Sequence, residues 1–386
     1  MEKVRCGMVG GGEGAFIGAV HRTAMAIAAN IELVAGTFSS NPEISRRSGA
    51  AIGLQPDRVY GSYLEMMERE RALPADYRIE AVSIVTPNHL HAPVAIAAFR
   101  SGFHVICDKP AADSLENALA MADTASSSGK LIAFTHTYTG YPMVKQARAF
   151  LAEGEVGAVR RVMVKYTQDW LSRPADIAGN KQAEWRVDPA RSGEGGALGD
   201  IGTHAFNLAE YITGERIVSL SAELSALPGR KLDDDCSVLF RLKRGGKGIL
   251  AASQICVGDA NALEISVYCE NAGLHWRQEE PNSLRVGRRD RPEEIWTAGA
   301  NRGYLAKPIR AIQRVPAGHP EGYLEAFANI YSAFAHDVRN GRSAVGDCGY
   351  ATMDDGIAGM KFVRAACLSN ERGSVWTSLD DVTART

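Results

Sequence analysis

Val9-Gly10-Gly11-Gly12-Glu13-Gly14-Ala15-Phe16-Ile17-Gly18 stands between an apolar run at 4–9 and a helical pattern at 18–29. Glycines between a strand and a helix permit positive φ and let backbone N–H groups approach a pyrophosphate at the helix N-terminus. A glycine-rich turn alone is a weak signal, and a solvated surface loop is its plain alternative. Its placement at the start of a strand–helix alternation favours the phosphate-binding reading.

That alternation continues through the first 135 residues. Short β-branched runs at 4–9, 31–37, 81–86, 104–108 and 131–135 read as strands. Helical patterns at 18–29, 41–52, 63–71, 92–101 and 114–128 lie between them. Strands separated by helices predict a doubly wound parallel sheet, and their nearly unbroken apolar character fits burial on both faces. Beyond 136 the pattern changes. A helix at 144–153 precedes alternating segments at 159–168, 217–225, 236–242, 248–253 and 263–269, with Gly245-Gly246 as a hairpin turn. These predict an α+β domain with a large, open, mostly antiparallel sheet. Segment 281–316, rich in Arg, Pro and Gly, stays unassigned, a candidate loop against a partner subunit. Helices near 322–340 and 352–369 complete the pattern, giving an α/β protein with domains at 1–135 and 136–386.

Composition narrows the function. The chain has 386 residues, 45% hydrophobic and 23% charged, with a formal net charge of −2. Such a balance gives no electrostatic reason for nucleic acid or an anionic membrane as partner. No apolar run reaches the ~18–20 residues needed to span a bilayer, and the N-terminus lacks a signal-peptide pattern. Cysteines at 6, 107, 236, 256, 269, 348 and 367 form no Cys-x-x-Cys pair. They read as reduced thiols of a cytoplasmic protein.

Three further segments carry chemistry. Residues 82–91 end a strand in Thr86-Pro87-Asn88-His89-Leu90-His91, and the next strand ends Cys107-Asp108-Lys109-Pro110. In a doubly wound sheet such strand ends line the ligand crevice, although a lysine there is more often simply solvated. The third is Gly193-Glu194-Gly195-Gly196-Ala197-Leu198-Gly199-Asp200-Ile201-Gly202-Thr203-His204. The following helix has Ile201, Ala205, Leu208 and Ile212 as its apolar stripe, while Asp200 and His204, at i and i+4, share another face. The bland alternative is a capping Asp beside a satisfied, partly buried His. His89, His91 and His136 read as structural or cofactor-side, and no histidine pair suggests a metal site.

Together these stretches, 9–21, 82–91, 104–110 and 195–204, resemble the glucose–fructose oxidoreductase/inositol dehydrogenase (Gfo/Idh/MocA) family over nearly the whole chain. The glycine loop is about three residues longer than that family's usual form, and Asp108 stands where the family usually has Glu. The resemblance implies a Rossmann domain followed by a substrate-binding and oligomerisation domain, NAD or NADP as cofactor, and a homo-oligomer, dimer or tetramer. It places Gly10, Gly12, Phe16, Ile17, Ser39, Ser40, Thr86, Pro87, Asn88, His91, Asp108 and Lys109 along the cofactor. It makes Lys109, Asp200 and His204 the catalytic group, with no metal.

The residues leave NAD and NADP both open. A carboxylate at the end of the second strand would select NAD. This chain has Thr37-Phe38-Ser39-Ser40-Asn41 instead, with Arg46 and Arg47 one helical turn onward. Oxidising an alcohol requires a proton acceptor for its hydroxyl, and His204 or Lys109 fills that role. The other group steadies developing alkoxide charge, and Asp200 orients the hydroxyl. Trp170, Trp185, Arg186, Asp200, His204 and His319 suit a sugar, glycoside or cyclitol, because aromatic faces pack on sugar rings and polar side chains satisfy hydroxyls. The implied activity is hydride transfer at a secondary hydroxyl. A glycosidase working through transient oxidation and elimination, or a non-catalytic NAD(P) or sugar sensor, are the alternatives.

Overall fold

The computed structural model describes residues 2–173, 179–341 and 349–384. They form two compact units, Met1–Thr137 with Phe327–Ile357, and Tyr138–Ala326 with Ala358–Thr386.

In the first unit, β1 (Val4–Gly10), α1 (Phe16–Ala28), β2 (Ile31–Thr37), α2 (Pro42–Ala51), α3 (Tyr63–Ala72), β3 (Ala81–Val85), α4 (His91–Arg100), β4 (His104–Cys107), α5 (Leu115–Ser128) and β5 (Ile132–Phe134) alternate as the periodicity predicts. The strands make a parallel sheet in the order β2-β1-β3-β4-β5. Val4, Cys6, Met8, Ala81, Val82, Ile84, Val105 and Ile106 are wholly buried, which accounts for the unbroken apolar runs. Helix α1 begins at Phe16 rather than 18, because Ala15 is already extended and the glycine turn ends there. The unit also holds a buried polar knot. The Arg58 guanidinium donates to Glu70 at 2.7 and 2.8 Å, and the same carboxylate accepts from Tyr60 Oη and Ile79 N. Every lone pair of that buried charge has a partner, which makes its burial tolerable.

The second unit contains α6 (Pro142–Ala152), β6 (Val159–Thr167), α7 (Lys181–Arg186), α8 (Pro189–Ser192), α9 (Thr203–Thr213), β7 (Ile217–Ser225), β8 (Asp235–Leu242), β9 (Lys247–Ser253), β10 (Ala262–Cys269), β11 (Ala272–Arg277), β12 (Ser283–Arg288), β13 (Arg291–Thr297) and α10 (Lys307–Ala311). Helices α11 (Tyr323–Asn340) and α12 (Met353–Glu371) span the boundaries between units, and β14 (Thr377–Ser378) follows. The sheet order is β13-β12-β11-β10-β6-β9-β8-β7-β14, antiparallel except between β6 and β9. Gly245, at φ +99°, turns the β8–β9 hairpin.

Two sequence expectations change. Segment 281–316 is not an unassigned loop; it carries β12, β13 and α10. Its charges hid the strands because they pair across them, Arg285 with Glu293 and Arg288 with Glu294, and Pro292 sits on the edge strand, where no ladder donor is required. The stripe Ile201, Ala205, Leu208 and Ile212 is buried as expected, but the other face of α9 is not left in solvent. Residues Thr203–Glu210 are all buried, so the helix lies inside its unit.

The described cysteines are all unbonded, and Cys348 lies outside the described residues. Among those residues no helix is long and apolar enough to cross a membrane.

Candidate functional site

In the first unit the candidate cofactor groups converge at the ends of β1, β3 and β4. Gly10 and Gly11 have φ of +88° and +71°, where a side chain would strain the backbone. The turn is also crowded. A Cβ on Gly12 would lie 2.5 Å from Phe38 O, and one on Gly18 would lie 2.4 Å from Gly11 Cα. Only glycine lets the loop, α1 and the end of β2 come this close. Arg22 pins the loop from α1 by donating to Gly11 O at 2.8 Å. Phe16 is 67% exposed at the start of α1, with Ile17 half-buried behind it. Ser39 Oγ accepts from Asn41 N, Ser40 is exposed, and Arg47 is paired to Glu13 of the glycine loop at 2.8 Å.

At the next strand end, Thr86 Oγ1 is buried with no hydrogen-bond partner among the described residues. An orphaned hydroxyl beside a glycine cradle is what a dinucleotide site requires, so these residues fit the group. Pro87 is half-buried and Asn88 buried. Asp108 Oδ1 accepts from Lys109 N at 3.0 Å and from Thr135 Oγ1 at 2.8 Å, fixing the turn that presents Lys109. His91 differs from its expected role as a direct cofactor contact. Its Nδ1 faces Pro110 O at 2.7 Å and its Nε2 faces Thr86 O at 2.9 Å. His91 is packed between the Thr86 and Lys109 turns, and its one N–H in the neutral form donates to one of the two carbonyls. Burial lowers its pKa, with the Lys109 charge acting in the same direction.

In the second unit Asp200 lies in a π-helical turn, Leu198–Gly202, that opens onto α9. The i, i+4 pair therefore straddles a change of pitch rather than one regular helix; such widened turns recur at functional sites. Asp200 Oδ2 accepts from Arg186 Nε at 3.2 Å and from Gln254 Nε2 at 2.9 Å. Arg186 packs its guanidinium over Trp185, 4.3 Å from the ring centre, and over Trp170 at 5.7 Å. His204 is buried, its ring 4.8 Å from Tyr138 and 6.2 Å from Tyr166. A polar chain continues from there. Tyr166 Oη donates to Asn261 Oδ1 at 2.6 Å, Gln168 Nε2 donates to the same oxygen at 2.8 Å, and Trp170 Nε1 donates to Gln168 Oε1 at 2.9 Å. Burial raises the pKa of both tyrosines, which stay neutral donors.

Trp170, Trp185, Arg186, Asp200 and His204 thus share one network. His319 does not join it and is exposed on the loop before α11, whereas Tyr323 has its ring 6.4 Å from Tyr138. Sequence reading missed Gln254, Asn261, Tyr138 and Tyr166 as site residues. The only local signal was the polar Gln168 beside Trp170 at a strand end.

Residues 4–136 match the model of an oxidoreductase family with an NAD-binding Rossmann fold, and residues 144–275 match the GFO/IDH/MocA C-terminal domain. An oxidoreductase structure from Sinorhizobium meliloti is 41% identical, with TM-score 0.86, covering 97% of this chain and 99% of its own. An inositol dehydrogenase homolog from Azotobacter vinelandii, solved with NAD+, is 32% identical with TM-score 0.91, over 98% of this chain and 97% of its own. That homolog was also solved with NADH and myo-inositol. The levoglucosan dehydrogenase of Pseudarthrobacter phenanthrenivorans is 31% identical over 317 residues, 74% of this chain and 76% of the relative.

Proposed function

Because the chain belongs to the Gfo/Idh/MocA family of NAD-binding oxidoreductases, we propose that it is a dehydrogenase acting on a secondary hydroxyl of a sugar, glycoside or cyclitol. The observation that carries this reading is the cluster joining Asp200, Arg186, Trp170 and Trp185, with His204 beside Tyr138 and Tyr166. It combines flat aromatic faces with directional polar groups, the pairing a polyol needs. The relatives that act on levoglucosan or were solved with myo-inositol favour the same substrate class.

When bound, the nicotinamide supplies the acceptor for the hydride lost from the alcohol carbon. The chain supplies the rest. Asp200, fixed by Arg186 and Gln254, accepts a hydrogen bond from the substrate and orients it. His204 takes the hydroxyl proton as base, and Lys109 stabilises the oxygen as charge builds on it. Gly10, Gly12 and Thr86 hold the dinucleotide.

The test mixes the protein with NAD+ or NADP+ and a panel of hexoses, levoglucosan, glycosides and myo-inositol, following reduced-nicotinamide absorbance. Turnover should fall about 10²–10⁴-fold in His204→Ala, the range typical of a lost general base, while NADH still binds. A comparable loss in Lys109→Ala alone, with His204→Ala near normal, would exchange their roles. No reduced cofactor with any substrate, but cleavage of a nitrophenyl glycoside, would replace the dehydrogenase with a glycosidase.

A further inference from the structure

Three consecutive backbone N–H groups ahead of the π-helical turn all end on one residue from another part of the chain. Gly196 N donates to Asp233 Oδ1 and Leu198 N to Asp233 Oδ2, both at 2.7 Å, and between them Ala197 N donates to the Asp233 carbonyl at 2.8 Å. The approach is tight enough to require glycine, since a Cβ on Gly196 would stand 2.0 Å from that carbonyl oxygen. These are the amides a helical start leaves without intrahelical partners. Here the carboxylate and carbonyl of one distant residue satisfy them in place of a local cap.

The same short segment reaches Asp200 by a second route. Asp234, next in the chain, accepts Gln254 N on its carbonyl at 2.8 Å, and the Gln254 side chain donates to Asp200 Oδ2. Asp200 N in turn donates to Gly196 O at 2.9 Å. Residues 233 and 234 therefore brace both the backbone that carries Asp200 and the side chain that orients its carboxylate.

We propose that Asp233 is a positioning residue for the Asp200–His204 segment: its carboxyl group sets the turn on which both residues are mounted. The inference rests on the reading that Asp200 and His204 meet the substrate. A protonated carboxyl keeps one strong acceptor oxygen and makes the other a weaker one, so protonation changes the geometry of one of the two bonds. Burial pushes the Asp233 carboxyl up to about 6, against the pull of the Leu198 and Gly196 amides, and neighbouring Asp234 pushes the same way. The thiols of Cys236 and Cys367 lie within electrostatic reach of this carboxylate. Arg230 pairs with the neighbouring Asp234, and Arg364 pairs with Glu194.

Asp233→Asn in the full-length protein tests the idea. Substrate KM and NADH affinity should hold while kcat falls about tenfold, since a small misplacement of reacting groups acts on rate. The acid side of the kcat profile should lose one of its two ionisations, leaving only that of the catalytic base. Hydrogen exchange of the amides at 196–204 should accelerate about tenfold while β7–β9 stay protected, the signature of a local opening. Unchanged exchange at 196 and 198 with full kcat would overturn the proposal. If the variant does not fold, exchange in the parent protein decides. Protection at these two amides that strengthens as pH falls through about 6 supports it, as a carboxyl with a higher pKa in the closed turn than in the open one requires. A pH-independent protection factor overturns it. Should the parent turn over nothing in the panel, the dehydrogenase reading fails, and the exchange data still decide what holds the turn.

Discussion

The Gly10–Gly18 turn and the Trp170–His204 cluster both place polar groups where a ligand will meet them, by opposite means. The turn does it with backbone. Its side chains are absent so that amides can crowd together, and its geometry follows from positive φ and close approach. The cluster does it with side chains drawn from β6, α7, the π turn and the end of β9, each held by a neighbour's hydrogen bond. A backbone site tolerates almost no added atom, whereas a side-chain site degrades by degrees as its members are removed.

Adding one methyl group should break the comparison most sharply. In Gly12→Ala the new Cβ meets Phe38 O, a backbone atom that cannot swing aside. NADH affinity, read by quenching of intrinsic fluorescence, should drop by about 100-fold, equivalent to a few kcal/mol of strain and lost contact. The His204–Tyr138–Tyr166 cluster in the second unit should be untouched. Near-normal affinity in this variant would mean that the loop is far more pliable than its packing indicates.

The contrast also explains what could be read in advance. The turn and strands of the first unit are local features: glycine spacing, then Val- and Ile-rich runs, so their elements follow directly from the chain. Lys109 was visible because it ends a strand, and Asp200 and His204 because a glycine run announces them. Gln254, Asn261, Tyr138 and Tyr166 carry no such local mark. They belong to the site only because β6, β9 and their flanking loops are brought side by side, a tertiary fact that no periodicity encodes. β12 and β13 were hidden for a related reason, since their charges make sense only as cross-strand pairs.

Acid should separate the two units by the sign of its effect. In the first, burial lowers His21, His104 and His136 to about 4; positive charge on Arg22 and His91, on Lys130 and on Lys109, respectively, adds to it. A histidine with a depressed folded pKa contributes stability that is complete above its unfolded value and is lost as pH falls towards the folded one. From about pH 6.5 to 5 each of the three should withdraw roughly 1.5 kcal/mol. Asp233 works the other way in the second unit: its raised pKa favours the fold in acid, and that contribution fades as pH rises through about 6. Exchange at pH 5 should therefore open β1, β3 and β5 before β7–β9. The reverse order would show that the buried histidines do not control acid stability.

The smallest expected effect concerns which dinucleotide the first unit prefers, and it depends on side chains beside the glycine turn. No carboxylate follows β2 to accept ribose hydroxyls, and Ser39 Oγ is occupied by Asn41 N. Arg47 is the nearby cation suited to a 2′-phosphate, yet its guanidinium is held by Glu13, a residue of the lengthened glycine loop. A 2′-phosphate would have to compete with Glu13 for it. Both partners are well exposed, at 65% and 61%, so the pair is weak and screened by salt. Glu13→Gln should raise NADPH affinity relative to NADH by about three- to fivefold at low ionic strength, and Arg47→Ala should lower it similarly. Both shifts should shrink at high salt. If titrations of the two variants leave the NADPH-to-NADH ratio where it was, Arg47 is an ordinary solvated helix residue. Cofactor choice would then rest with the backbone of the glycine turn.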